Sequence, residues 1–316
     1  MHIPDGFLDL RTAATAGGLA LVGAGLALRD LRRRLPPRRV PLVGLSAAFV
    51  FAAQMLNFPV AAGTSGHLVG GVLVAVLLGP AAAVVVMTAV LLLQCLMFAD
   101  GGITALGANV LNMGLIAPAS GFAIYAALRR LGGGTLRATL LATGFAAWCS
   151  IVIAAIACAA ELAASGTVAW RQGLPAICGV HMLIGFGEAA ISMLIVAVVA
   201  RSRPELLAPE GSGSAPRRAT VAYGLFATLA LVVFVAPVAS SSPDGLERVA
   251  ERLGFAGRAL AHDAAPLAGY SLSGFSAAPA PLALVIAGAI GTIAAFLAAW
   301  LLARVLAPAV PRPQPR

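Results

Sequence analysis

The chain opens Met-His-Ile-Pro-Asp-Gly, and a second histidine, His67, stands in Gly-Thr-Ser-Gly-His-Leu-Val-Gly-Gly. A histidine at position 2 offers a divalent metal three nitrogens from one end of the chain: the α-amine of Met1, the backbone nitrogen of His2 and His2 Nδ1. These close small chelate rings. One further imidazole, such as that of His67, completes a four-nitrogen tetragonal set, the geometry favoured by Ni(II) and Cu(II). The bland alternative is two unrelated surface histidines. Pro4-Asp5-Gly6 reads as a turn, with Pro setting φ and Gly permitting positive φ, and such a turn would fold the terminus back into the molecule. A bulky second residue such as His2 should leave Met1 in place.

Several other residues carry chemistry. The hydroxyls of Thr64 and Ser65 could orient the His67 ring, or either residue could cap a helix. Gln54 and Asn57, three residues apart, are either packing amides or supports for the metal site. Asp100 in Asp-Gly-Gly is a turn residue that could also attract cations. His181 and Glu188 lie seven residues apart, on one face of a helix, and ionisable groups within the membrane default to a functional hypothesis. For His181 the competing role is a hydrogen bond between helices. Cys95, Cys149, Cys158 and Cys178 all fall in apolar runs, fit no C-x-x-C spacing and read as buried hydrophobes.

The elements that position these groups are membrane helices. Of 316 residues, 60% are hydrophobic and 10% charged, and the mean hydropathy is +0.96, which excludes an ordinary soluble domain. Apolar runs at 12–28, 41–57, 67–79, 81–98, 106–128, 138–161, 174–200, 219–239 and 281–303 predict an all-α integral membrane protein. It comprises a seven-helix N-terminal bundle (1–200), a Pro/Gly/Ser linker (201–218) and a two-helix tail (219–316). The third run is short for a full crossing. Residues 240–280 read as a polar, extramembrane loop. Ala16, Ala20 and Ala24 form a small-residue stripe suited to close helix packing or to docking a partner subunit.

The net charge of +9 marks orientation rather than nucleic-acid binding. All the basic residues are arginines. With the N-terminus outside, sixteen of the 21 fall in inner loops, as the positive-inside rule asks. The same topology places Met1, His2, the approach to His67, Asp100 and the 240–280 loop on one outer face. No basic segment precedes the first apolar run, so a cleavable signal peptide is not expected.

Three segments, MHIPDGFL, QMLNFPVAAGTSGHLVGG (54–71) and FADGGITALGANVLNMG (98–114), resemble the substrate-capture M component of cobalt/nickel energy-coupling-factor transporters. Pro243-Asp244-Gly245-Leu246-Glu247 resembles the PDGLE element of the attached N component, so the chain resembles an M–N fusion. The resemblance implies metal ligands at Met1, His2 and His67; Gln54, Asn57, Thr64, Ser65, Asp100 and His181 stand beside them as supporting or entry candidates from the residue reading above. It implies no permanently bound cofactor, with Ni(II) or Co(II) as cargo and nickel slightly favoured by the chelate chemistry. It also implies a transmembrane T subunit and cytoplasmic ATP-binding subunits as partners, in a bacterial inner membrane, with the C-terminus cytoplasmic. The chain has no G-x-x-x-x-G-K-[ST] phosphate loop and should not hydrolyse ATP itself.

Two other classes compete. An ion-coupled secondary transporter would use buried acids near the midplane, for which Glu188 is the main candidate. An intramembrane serine hydrolase would pair Ser120 with His181, at depths that differ by about 10 Å at ~1.5 Å per helical residue. A vitamin-capture protein would leave the N-terminal histidine without a purpose.

Overall fold

The computed structural model describes residues 1–61, 63–207, 218–260, 265–271 and 279–307. Most of the expected linker, 208–217, therefore lies outside the described residues. The described chain is helical apart from one two-residue antiparallel pair, β1 (Phe58–Pro59) with β2 (Ser65–Gly66). Among the described residues, seven helical stretches are long and apolar enough to cross a membrane.

Helix α1 (Leu10–Arg34) starts where Asp9 caps it by accepting a bond from the Thr12 amide at 2.9 Å. It ends in Arg32, Arg33 and Arg34, cations placed at the negative end of the helix dipole. Of the small-residue stripe, Ala16 and Ala20 are buried, so its role is packing within the molecule. There Gly17 meets Gly107 of α5 (Leu106–Asn109) backbone to backbone, and a Cβ on Gly107 would stand 2.4 Å from the Gly17 Cα.

The second and third apolar runs do not form long helices. Helix α2 (Val40–Gln54) has 15 residues, about 22 Å at the usual rise, and stops before Asn57. The third run holds only α3 (Gly71–Leu78), eight residues long, preceded by extended chain from Ser65. Its start is fixed by Gly70, whose φ of +80° suits glycine. Gly79, with φ of +90°, then reverses the chain into Pro80, the first residue of α4 (Pro80–Phe98). Extended chain plus a half-length helix thus carries the third run down the bundle.

Helix α5 passes through a π-helical segment, Val110–Ile116, into α6 (Ala117–Leu131). The long α7 (Leu136–Ala164) and α8 (Trp170–Ser202) pack along their lengths, and Trp148 Nε1 donates to the Met182 carbonyl at 3.0 Å.

In the tail, α9 (Arg218–Phe234) and α11 (Ala280–Leu306) lie against α2. A Cβ on Gly44 would meet the Phe296 carbonyl oxygen at 2.9 Å. The expected 240–280 loop is not wholly irregular. It contains α10 (Gly245–Leu253), whose capping box joins the Asp244 side chain to the Glu247 amide and the Glu247 side chain to the Asp244 amide. This helix packs on α8 and brings the tail to the N-terminus.

Candidate metal centre

The expected turn at Pro4-Asp5-Gly6 forms, with Gly6 at φ +87°. It is held from several directions. The Asp5 carboxylate accepts from the backbone amides of Ile103 and Thr104 at 3.0 and 2.7 Å, and the Asp5 carbonyl accepts from the Leu260 amide at 2.9 Å. Ile3 is fully buried and paired at both backbone groups with Asn109: its amide donates to Oδ1 at 2.8 Å and its carbonyl accepts from Nδ2 at 3.0 Å. The first residues are thereby threaded into the bundle, with Met1 only 5% exposed.

That threading brings the Met1 amine to 3.3 Å from His67 Nε2, across 66 residues of sequence. The His2 and His67 rings stack with centroids 5.5 Å apart. His2 sits between two partners, with Nδ1 3.1 Å from Asp100 Oδ1 and Nε2 3.3 Å from Gln94 Oε1. Burial holds the His2 ring below its ordinary pKa, against the opposing pull of the Asp100 carboxylate. A neutral imidazole is the form that binds metal. Among the described residues no three His, Cys, Asp or Glu side chains form a ready metal cluster.

The loop carrying His67 is fixed by two buried systems. Glu188, with no exposed surface, accepts from the amides of Val69 and Gly70 at 2.6 and 2.8 Å. These amides lie at the start of α3, where the helix dipole also favours a carboxylate. Gln54 Nε2 donates to the Val69 carbonyl at 2.9 Å and Gln54 Oε1 accepts from Gln94 Nε2 at 2.8 Å. Gln54, Gln94 and His2 thus form one chain of hydrogen bonds reaching from the His67 loop to the second residue.

The tail supplies an acid directly. Asp244 Oδ2 accepts from the Met1 amine at 3.0 Å. Burial pushes this carboxyl up, but the amine and the Glu247 amide outweigh it and hold Asp244 below the ordinary carboxylate range. Tyr270, also from the tail, donates to Asp100 Oδ2 at 2.8 Å. Its phenol is pushed up, first by burial and then by the neighbouring Asp100 charge.

Other expected residues sit differently from their sequence reading. Thr64 and Ser65 begin no helix, because α3 starts six residues later. Ser65 Oγ donates to the Ser242 carbonyl at 2.7 Å and the Ser65 amide to the Pro243 carbonyl at 2.9 Å. Ser65 therefore joins the His67 loop to the tail and does not orient the ring. His67 Nδ1 instead lies 3.2 Å from the Leu68 carbonyl. Asn57 lies beyond α2 and receives the Ser240 amide on its backbone carbonyl at 2.8 Å. His181 makes no bond between helices; its Nδ1 is 2.7 Å from the Ile177 carbonyl of its own helix. Ser120 Oγ likewise donates within its helix, to the Ile116 carbonyl at 2.6 Å, so the serine–histidine pair has no geometric support. The clamping role of Glu188 and the contributions of Gln94, Asp244 and Tyr270 were missed. For Asp244 the sequence offered its place in the PDGLE element and in a helix-capping pattern, neither of which points to the Met1 amine.

The site and fold together are those of a helical membrane bundle whose own amino terminus is folded against an internal histidine, beneath a loop from a two-helix tail. Residues 2–206 match the family described as the cobalt uptake substrate-specific transmembrane region, CbiM, and residues 218–308 match the PDGLE domain. The chain belongs to the CbiM family, with a PDGLE domain fused behind it. It is 36% identical, over 93% of its length and 95% of the relative's, to a protein named for fused nickel transport, NikMN, of Archaeoglobus fulgidus. It is 33% identical to the cobalt transport protein CbiM of Geobacter sulfurreducens, over 80% of this chain and 77% of that one. The crystal structure of a truncated transition metal transporter, 33% identical, superposes with a TM-score of 0.58, covering 64% of this chain and 99% of that one.

Proposed function

We propose that this chain is the substrate-capture component of an ATP-driven energy-coupling-factor importer for Ni(II) or Co(II). The carrying observation is the Met1 amine held 3.3 Å from His67 Nε2. The ligand set is the Met1 amine, the His2 backbone nitrogen and Nδ1, and the His67 imidazole. An all-nitrogen set selects late transition metals over Mg(II) and Ca(II), which prefer oxygen. Deprotonation of the His2 amide favours a metal with a strong planar preference, hence nickel over cobalt. Coordination by His2 Nδ1 replaces its contact with Asp100, and Asp100 then lies beside the entering cation.

The family reading supplies the partners: a transmembrane T subunit and separate ATP-binding subunits, since this sequence carries no phosphate loop. The N-terminus faces outward and the C-terminus inward, as the arginine distribution supports. Residues 1–200 capture the metal, 201–218 link, and 219–316 close over the centre. Glu188, occupied by two backbone amides, is poorly suited to carry a coupling ion, which weighs against a secondary transporter.

The test is a titration of purified protein with a native terminus against a copy bearing an N-terminal Gly-Ser extension, with nickel and cobalt titrated separately. Stoichiometric binding that the extension abolishes is the expected result. Equal binding by both forms removes the amine from the ligand set and overturns the site.

A further inference from the structure

The proposed capture residues stand between two cavities of different character. On one side is an open cavity of about 650 Å³ whose wall includes His2, His67, Asp100, Asp244 and Tyr270. On the bundle side is a small one, bounded by Met1, His67 and Asp244 and, across from them, by Ile151, His181 and Ile184. His181 is 2% exposed, and its Nε2 is buried without a hydrogen-bond partner. A buried nitrogen left without a partner destabilises the fold unless something else occupies it.

The tautomer follows from the other nitrogen. Nδ1 lies 2.7 Å from the Ile177 carbonyl, which only accepts, so Nδ1 carries the proton and Nε2 a lone pair. A neutral ring with one nitrogen fixed to a backbone carbonyl and the other free is the arrangement of a metal-ligating histidine. The ring is also confined: a Cβ on Gly245 would stand 3.1 Å from His181 Cε1, so the tail backbone closes over its edge. Two turns further along α8, Glu188 grips the His67 loop. One helix thus carries both this unused donor and the hold on His67.

We propose that His181 Nε2 is a further metal donor, taking a borderline dication such as Ni(II) or Co(II) on the bundle side of the Met1–His67 pair when His67 lets go. The proposal rests on the metal-capture reading, and no member of the capture set is itself reassigned.

The test uses the purified full chain with a native terminus in four versions: unaltered, H181Q, H67A and H67A/H181Q. Each is titrated with Ni(II) and with Co(II), and thermal melts confirm folding. H181Q should retain capture, because the primary ligands remain. H67A should bind more than about 10-fold more weakly than the unaltered chain, because a direct ligand is lost, and the double variant at least about 10-fold more weakly again. The visible Co(II) spectrum of H67A should lose one nitrogen donor's contribution when H181Q is added. Equal affinities and spectra for H67A and the double variant overturn the proposal, as does absence of binding in H67A. So does a loss in H181Q as large as that in H67A. If the unaltered chain binds neither metal, the capture reading itself fails.

Discussion

At the residue scale, the site is governed by how two carboxylates are used. Glu188 is a positioning residue: it holds two amides of the His67 loop and is sealed from solvent. Glu188→Ala leaves two buried donors unpaired at about 1–3 kcal/mol each. It should lower the melting temperature and weaken nickel binding roughly 10–100-fold, the range for loss of a support beneath a metal ligand; a titration beside a thermal melt measures both. Asp244 works through charge. Its folded-state carboxyl is held below its ordinary value, so its stabilisation is present above the unfolded pKa of about 3.9 and is lost as pH falls through the depressed folded value. Asp244→Asn should therefore cost about 1–3 kcal/mol at neutral pH, with a deficit that shrinks only below about pH 4; melts of both proteins from about pH 5 down to about pH 2 follow it. Met1, His2 and His67 were readable from residue type and local motif. Asp244 was not, because 243 residues separate it from the amine it holds, and no local pattern records a pairing at that distance.

At the scale of elements, close backbone approach decides the packing. A Cβ on Gly107 would stand 2.4 and 2.8 Å from the Cα and N of Gly17, and backbone cannot step aside as a side chain can. Gly107→Ala should destabilise by about 1–3 kcal/mol, and a melting curve of the purified variant checks it. Apolar runs marked where helices would lie, but not how long each would be. Met55 and Leu56 are as apolar as what precedes them, yet α2 ends at Gln54, where the Gln54 amide serves the Val69 carbonyl and Gln94. The π-helical segment at 110–116 has no counterpart in hydropathy, because its cause is a shift of backbone register. Helix α10 lies in a stretch read as loop, although its capping box was present as Asp244 and Glu247 in the sequence.

For the whole molecule, the tail is part of the walls around the proposed metal centre. Its contacts reach Met1, Asp5, Ser65 and Asp100. Ending the chain after residue 206 removes these four contacts with the tail, so amide hydrogen exchange at 65–70 should quicken relative to the full chain; unchanged protection would show that Glu188 and Gln54 hold the loop unaided. The family and the helical membrane architecture were legible in motifs and composition, whereas the closure of the tail over the terminus was not, since it depends on tertiary packing of α10 against α8. The interrupted third run has a further consequence for biogenesis. A helix of eight residues falls well short of the ~17–25 apolar residues from which the insertion machinery releases a span into lipid. Of the two limbs joined at Gly79 and Pro80, α4 alone has the length and hydropathy to hold the pair in lipid. Polar substitutions in α4 should then strand His67 on the wrong side of the bilayer during synthesis, before any metal is met.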